Sequence, residues 1–556
     1  MKKIFISLVL ATLLLSSCKK YFDINSNPET PQNPDVTTLL TPVFSQMARS
    51  LCLDSRYMGA YVQYWHNFNS GGDAYDIHGG NPINPSGATA DIWQRVYLQI
   101  GVPANLIINK GIKDQNWDYV GVAFALKAWA VQEATDYCGE MPFTEAWKDK
   151  INFPYDDQAT VYRGIDSMLR MAEFYLSRTD GTVSNSSLKR ADIVYGGNRS
   201  KWLKFVYGLM ARRFQRLTNK AEYSADSVIK YVDLSFSSAA DNFIFQNTAT
   251  RNDDSNPFGL ARNNFTNYRQ GRYITELLDG TIFYGNPSPA NRDPRLSRML
   301  TKSFDTTTIS SSTMPVANGG YRYLIPATSD PNSGNTTSTS AAFRQRVSTL
   351  YGDSIVVITN FVNNFSARVG KYIFQNNAPS ILMAYHELQF IKAEAAMRKA
   401  TPDRGTAYVA YLNGINAHFD FVNSLSNTAS PSISAISGQE RSAYLASLAV
   451  EQSQANLSIS DIIMQKYIGD FGWNTMEAWC DMRRFHYLDL DPTDNNTLVY
   501  KNFRISIVSV NNLGFKFAYR FRPTGVSEND WNLTELRRIG ALNQDYHTYE
   551  MWFSQP

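Results

Sequence analysis

Cysteine is scarce in this chain of 556 residues. There are four, at positions 18, 52, 138 and 480, and no two stand as Cys-x-x-Cys, which excludes a zinc ribbon or a thioredoxin-type redox pair. An excess of charge of one sign is also missing. Lys and Arg number 53 against 50 Asp and Glu, a net of +3, so the basic surplus of a nucleic-acid binder is absent. Charged residues make up only 19% and hydrophobic ones 43%, which excludes an acidic disordered tail. The six histidines show no metal-ligand spacing. His386-Glu387 opens like a zincin motif, but Phe390 stands where the second histidine belongs, so His386 reads as a packed helix residue. No Gly-x-Ser-x-Gly elbow, phosphate-cradling loop or dinucleotide fingerprint occurs. Paired carboxylates for glycoside cleavage need only meet in space, so the sequence gives no evidence on them either way.

Long apolar runs are lacking too, apart from one at the start. Lys2 and Lys3 precede Ile4 to Leu15, which is too short to span a bilayer comfortably and right for a signal-peptide core. Leu15-Ser16-Ser17-Cys18 is the pattern cut by lipoprotein signal peptidase, so residues 1–17 read as the signal peptide. Cys18 then becomes an acylated N-terminus, carrying chains such as palmitate. Residues 18–36 form a polar, proline-rich tether (Asn27-Pro28, Thr30-Pro31, Asn33-Pro34). Asp23, Asn25 and Asn27 echo the opening of a calcium loop, but Pro28 replaces its glycine and Pro34 its bidentate glutamate. Of the three remaining cysteines, an odd number, at least one is expected as an unpaired thiol.

What is plentiful is aromatic: 10 Trp, 32 Tyr and 31 Phe. Beyond the tether the pattern predicts a mainly α fold, a tetratricopeptide-like helical-repeat scaffold with long loop-rich insertions and a few short strands. Tyr119, Val122, Leu126 and Trp129 recur at helical spacing, as do Val206, Met210, Phe214 and Leu217. Stripes over 381–399 and 406–423 predict a helix pair, and Ser458-x-x-Asp461 predicts a capped helix start. Strands are expected at 355–360 and 503–509. Nothing divides residues 37–556 into separate domains. Long Gly/Asn/Ser-rich stretches at about 66–90 and 245–345 are expected to form a ligand face, because loops of that length are uncommon unless they bind something or are disordered.

That face supplies the expected ligand residues: Trp65, Asn67, Tyr75, Tyr268, Arg269, Tyr321 and Tyr323. Sugars stack their apolar faces on aromatic rings while Asn, Arg and similar groups satisfy hydroxyls. Most have a plainer alternative: Trp65 and Tyr75 as core, Tyr268 as loop packing beside a solvated Arg269, Tyr321 and Tyr323 as an alternating edge strand. Trp93 reads as core, and Arg483 and Arg484 as salt-bridging within the scaffold. The near-neutral total charge suits a neutral ligand.

Several segments together resemble the SusD/RagB family of outer-membrane nutrient-binding lipoproteins. They are Asp23-Ile-Asn-Ser-Asn-Pro28; Ala123 to Pro142 with Asp136-Tyr-Cys-Gly139; Lys201-Trp202-Leu-Lys-Phe205 leading to Arg212-Arg213; and Asp293-Pro-Arg295. Met383-Ala-Tyr-His-Glu387 with Ala393-Glu-Ala-Ala396, Gln465-Lys466-Tyr467, Glu477-Ala-Trp479 and Arg483-Arg484 complete the set. They follow family order over nearly the whole chain. Departures are Phe485-His486-Tyr487 after the arginine pair and Lys19-Lys20 after Cys18, where an acidic export signal is common. The resemblance implies tetratricopeptide-like helix pairs, an oligosaccharide or peptide ligand, no catalysis, and a SusC-like TonB-dependent transporter as partner. The rival readings are a lipid-anchored glycan-cleaving enzyme and a helical scaffold that binds only protein.

Overall fold

The structure is a computed structural model that describes residues 34–68, 91–180, 185–303, 319–326, 346–352, 356–359, 362–365, 370–426, 433–504, 516–523 and 526–556. Cys18, the tether with its Asp23–Asn27 run, and Tyr75 therefore lie outside the described residues, as does most of the strand expected at 503–509.

The helical periodicity becomes a stack of helices. The larger ones are α1 (Val36–Tyr61), α2 (Val102–Lys113), α3 (Trp117–Cys138), α4 (Gln158–Ser177), α5 (Arg199–Gln215) and α6 (Ala225–Leu234). After the short α7 (Leu296–Met299) come α8 (Tyr385–Met397), α9 (Arg404–Ser426), α10 (Gly438–Leu445), α11 (Ile459–Gly469) and α12 (Thr475–Arg484). Consecutive members pack in pairs: α2 on α3, α3 on α4, α5 on α6 and α8 on α9. Further contacts, α4 on α5 and α6 on α8, join the pairs into one row. Two pairs approach closely through glycine. A Cβ at Gly121 would lie 2.5 Å from Leu176 Cγ, and one at Gly414 would lie 2.6 Å from the Phe390 ring. Side-chain caps start several helices, the Ser458 cap among them as the sequence predicts. Asp157 accepts from Thr160 N–H, Asn198 from Lys201 N–H, and Ser458 with Asp461 forms a reciprocal capping box.

Three two-stranded antiparallel ribbons accompany the helices among the described residues: β1 (Trp65–Asn67) with β3 (Tyr268–Gln270), β2 (Phe243–Phe245) with β6 (Ser380–Met383), and β4 (Val356–Thr359) with β5 (Val362–Phe365). Two expectations are corrected here. The helix expected from 381 begins at Tyr385, because Ser380–Met383 is pulled into the ladder opposite β2 and Ala384 is extended (φ −132°). The stretch 245–345 is not structureless: it holds β3, α7 and helical segments at Arg272–Leu278 and Thr281–Tyr284.

Charge is buried between the helices, and much of it is paired with charge of opposite sign. Arg212 on α5 grips both oxygens of Glu387 on α8 at 2.6 and 2.7 Å. Arg216, just past α5, joins Asp136 on α3 at 3.0 Å to Glu477 on α12 at 2.6 Å. Arg484 on α12 holds Glu394 on α8 at 3.0 Å and Asp481 at 2.6 Å, and Asp481 also takes Lys466 of α11 at 2.7 Å. Burial opposes ionisation of Glu394, but the guanidinium groups of Arg484 and Arg398 hold its carboxyl below the usual range. Arg483 was expected to salt-bridge. It is fully buried and donates instead to the backbone carbonyls of Asp136 (2.6 Å) and Tyr519 (2.9 Å).

Glu133 lies beside this network without a cation of its own among the ion pairs of the described residues. Burial, with the charge of Glu477, pushes its carboxyl up to about 8. The folded chain thus keeps a proton that the unfolded chain gives up near the ordinary value of 4.5. This group's contribution is lost as pH rises from about 4.5 to about 8, at about 1.4 kcal/mol per pH unit. Glu133→Gln should remove that loss. Urea titrations at about pH 5 and about pH 8 should show the variant gaining on the wild type as pH rises.

Candidate functional site

The loop face is organised by the β1–β3 ribbon. Trp65 pairs with Gln270, His66 with Arg269, and Asn67 with Tyr268. A single parallel bridge at Gly271 and Leu324 lays the 321–324 segment alongside, and the buried Gln270 amide donates to the Arg322 carbonyl at 2.7 Å. Six of the seven expected ligand residues therefore meet in one region although they come from three separate parts of the chain.

They do not all face outward. Trp65 is fully buried, its ring edge-on to Phe265 and Phe374 and its indole N–H donating to Ser55 O at 3.1 Å. It sits against Gly59, where a Cβ would lie 2.2 Å from the indole, so the stacking role expected for it is corrected to core packing. Arg269 is buried rather than solvated. Its guanidinium lies 4.4 Å from the Phe68 ring centroid and donates to Thr266 O and Tyr268 O. Tyr268 is half-buried against Phe265, and Asn67 is half-buried beside it in the ribbon. The half-buried Tyr323 donates its hydroxyl to Glu276 at 2.8 Å. Tyr321, Arg322 and Tyr323 show no edge-strand alternation: the first two are buried.

Of the six that the structure describes, Tyr321 lines an open hollow. This open hollow of about 400 Å³ is lined by Tyr284, Tyr321 and Tyr444, by Asn291, Arg292, Asp293, Arg298, Lys302 and Glu440, and by neighbouring residues of 289–297. That is the size range of a small-molecule or oligosaccharide site, and its lining holds tyrosines together with polar and charged side chains. Gly319 (φ +61°) and Gly320 (φ +93°) turn the chain into Tyr321. The Tyr284 hydroxyl accepts from the Leu448 N–H at 3.2 Å, which joins the 281–284 helical turn to the segment after α10.

The cavity wall is braced from behind by Arg295, which is wholly buried. Its guanidinium takes both oxygens of Asp293 (3.0 and 2.6 Å) and donates to Tyr444 Oη at 3.1 Å and Gln465 Oε1 at 2.8 Å. It also meets His418 Nδ1 at 2.9 Å. Arginine only donates, so His418 Nδ1 accepts and its ring proton sits on Nε2, 3.4 Å from the Tyr372 hydroxyl. Burial, then His386 and Arg295, push His418 well below its ordinary value, so it stays neutral. In front, Glu440 of α10 takes Arg298 at 2.8 and 3.1 Å. Burial works against the ionised form of Glu440, but the Ser437 N–H and Arg298 outweigh it and hold the carboxyl low.

Sequence reading missed Tyr284, Arg292, Arg298, Lys302, Glu440 and Tyr444. The only available signal was the Gly285-Asn-Pro-Ser-Pro289 turn inside an expected ligand loop; nothing linked it to Tyr444, some 160 positions away. Among the described residues no grouping of His, Cys, Asp and Glu could hold a metal ion, and no helix is long and apolar enough to cross a membrane.

Comparison with known proteins places this geometry in context. A family model described as SusD-like, "Starch-binding associating with outer membrane", matches residues 28–504. Among solved structures, a chitin-binding protein superposes with a TM-score of 0.65 at 18% identity, covering 94% of this chain and 100% of that one. A SusD/RagB family protein from Bacteroides thetaiotaomicron gives 0.63 at 24% identity over 94% and 99%. A SusD homologue from Bacteroides fragilis gives 0.60 at 19% identity over 92% and 99%. No curated protein matches the chain.

Among the described residues Arg295 is the only cation paired with Asp293, so Arg295→Met should destabilise the chain by about 3–5 kcal/mol by stranding a buried carboxylate. The double variant Arg295→Met with Asp293→Leu should lose less. Urea unfolding of both measures the difference.

Proposed function

Because the chain belongs to the SusD-like family, we propose that it captures a nutrient oligosaccharide at the cell outer membrane and hands it to a SusC-like TonB-dependent transporter. Residues 1–17 act as the signal peptide, Cys18 carries the lipid, and residues 18–36 tether residues 37–556, which work as one unit. The observation that carries the reading is the hollow framed by Tyr284, Tyr321 and Tyr444 with hydrogen-bonding side chains between the rings, the mixture that a saccharide's apolar faces and hydroxyls require. The family description names starch and one structural relative is a chitin binder, and both ligands are glycans. The net charge of +3 and the absence of the corresponding motifs leave nucleic acid outside the reading.

Catalysis has no part in it. A glycosidase needs one carboxyl free to donate a proton and a second free to attack or to activate water. The two carboxyl groups lining the hollow are each gripped at both oxygens by a guanidinium, Asp293 by Arg295 and Glu440 by Arg298. Capture followed by release also favours modest affinity over tight binding, since a long-lived complex would block transfer.

Two experiments test the reading. A pull-down from detergent-solubilised outer membrane should recover a TonB-dependent barrel in stoichiometric amount, and Cys18→Ala should abolish incorporation of labelled palmitate. Recovery of the protein alone, or in the inner membrane, would sink the delivery role. Tyr284→Ala should weaken glycan binding by about 1–2 kcal/mol in calorimetry through loss of one stacking surface, with little change in melting temperature.

A further inference from the structure

Among the described residues the charge lining the hollow does not balance, although the whole chain nearly does. Its two carboxylates are already committed to Arg295 and Arg298. That leaves Arg292 and Lys302 in the lining, and Lys371 just behind it. Among the described residues none of these three has a carboxylate within ion-pair distance. Lys302 is exposed and Arg292 half-exposed, so solvent and ligand reach both. Lys302 Nζ lies 5.1 Å from the Tyr321 ring centroid, and Arg292 and Arg298 both act on that phenol electrostatically. Gly319 makes room for Arg292, since a Cβ there would lie 2.4 Å from the guanidinium. Lys371 donates to the carbonyls of Ser297 (3.2 Å) and Leu300 (3.1 Å), and burial together with the charge of Lys302 lowers its ammonium to about 8. Lys302 and Lys371 repel one another at this wall of the hollow. Left unfilled, the arrangement is unfavourable; an anion lying against Tyr321 would relieve it.

We propose that the hollow selects an acidic oligosaccharide, one bearing uronate carboxylates or sulfate esters, with Arg292 and Lys302 as its anion contacts and Tyr321 as the adjoining ring. The proposal rests on the glycan-binding reading above and narrows its ligand class. It also reverses the expectation of a neutral ligand drawn from total charge. That total averages over the whole surface, whereas the ligand meets only the local field.

Isothermal titration of the detergent-solubilised full chain tests it, with tetragalacturonate, a chondroitin-sulfate tetrasaccharide and maltotetraose as probes at about 50 and about 300 mM salt. The expected result is tighter binding of at least one acidic probe than of maltotetraose, weakened by salt. The acid that binds tells carboxylate from sulfate. The double variant Arg292→Gln with Lys302→Gln should lose roughly tenfold or more for the acidic probe and little for the neutral one. Should the double variant fold poorly, Lys302→Gln alone replaces an exposed side chain and should show the same selective loss to a smaller degree. Maltotetraose binding as tightly as both acids, or acidic binding that survives the substitutions, overturns the proposal and leaves glycan capture standing. Failure of all three probes to bind overturns both.

Discussion

A charge taken out of water must be paired where it lands, and this requirement holds the helix row together. Arg212, Arg216, Lys466 and Arg484 meet Glu387, Asp136, Glu477, Glu394 and Asp481 in an interior almost closed to solvent. The desolvation cost of each ion is several kcal/mol, so such pairs add little net stability. What they impose is registration. α3, α5, α8, α11 and α12 can slide past one another only by stranding a charge, while apolar contacts alone would tolerate small shifts. The segments that carry the family resemblance supply seven of these nine partners: Asp136, Arg212, Glu387, Glu394, Lys466, Glu477 and Arg484.

The ligand face depends on the same constraint one layer further out. Asp293 belongs to a turn with no helix of its own to fix it. Arg295, two residues on, is bonded to α9 through His418, to α10 through Tyr444 and to α11 through Gln465. Irregular backbone at the hollow thereby inherits the rigidity of the helices behind it. Tyr444 serves both layers, with its hydroxyl in the bracing network and its ring in the cavity wall.

The helices were legible because periodic burial is a local property. The stripes through Tyr119 and Leu126, and through Leu412 and Ile415, mark the elements that form, and Ser458 marks a helix start. β6 was not legible: Ile381 and Ala384 continue the stripe of α8, and only the distant partner β2 decides that Ser380–Met383 is extended. The site was legible as a region and not as a surface. Sequence placed Tyr268, Arg269, Tyr321 and Tyr323 in ligand loops, and the ribbon does gather them. Composition cannot tell a ring that faces a cavity from one that faces a core, so Trp65 and Tyr321 read alike although only Tyr321 borders the hollow. Tyr284 and Tyr444 were invisible because their meeting is a property of the packed chain.

The three thiols of the described residues, Cys52, Cys138 and Cys480, are all buried and unpaired, and burial pushes each toward its protonated form. Folded, they are chemically inert. Unfolded in an oxidising compartment, each returns to an ordinary thiol that crosslinks to whatever it meets. Unfolding there would be a one-way step. The working lifetime of the molecule would then be set by how slowly it opens rather than by how favourably it closes.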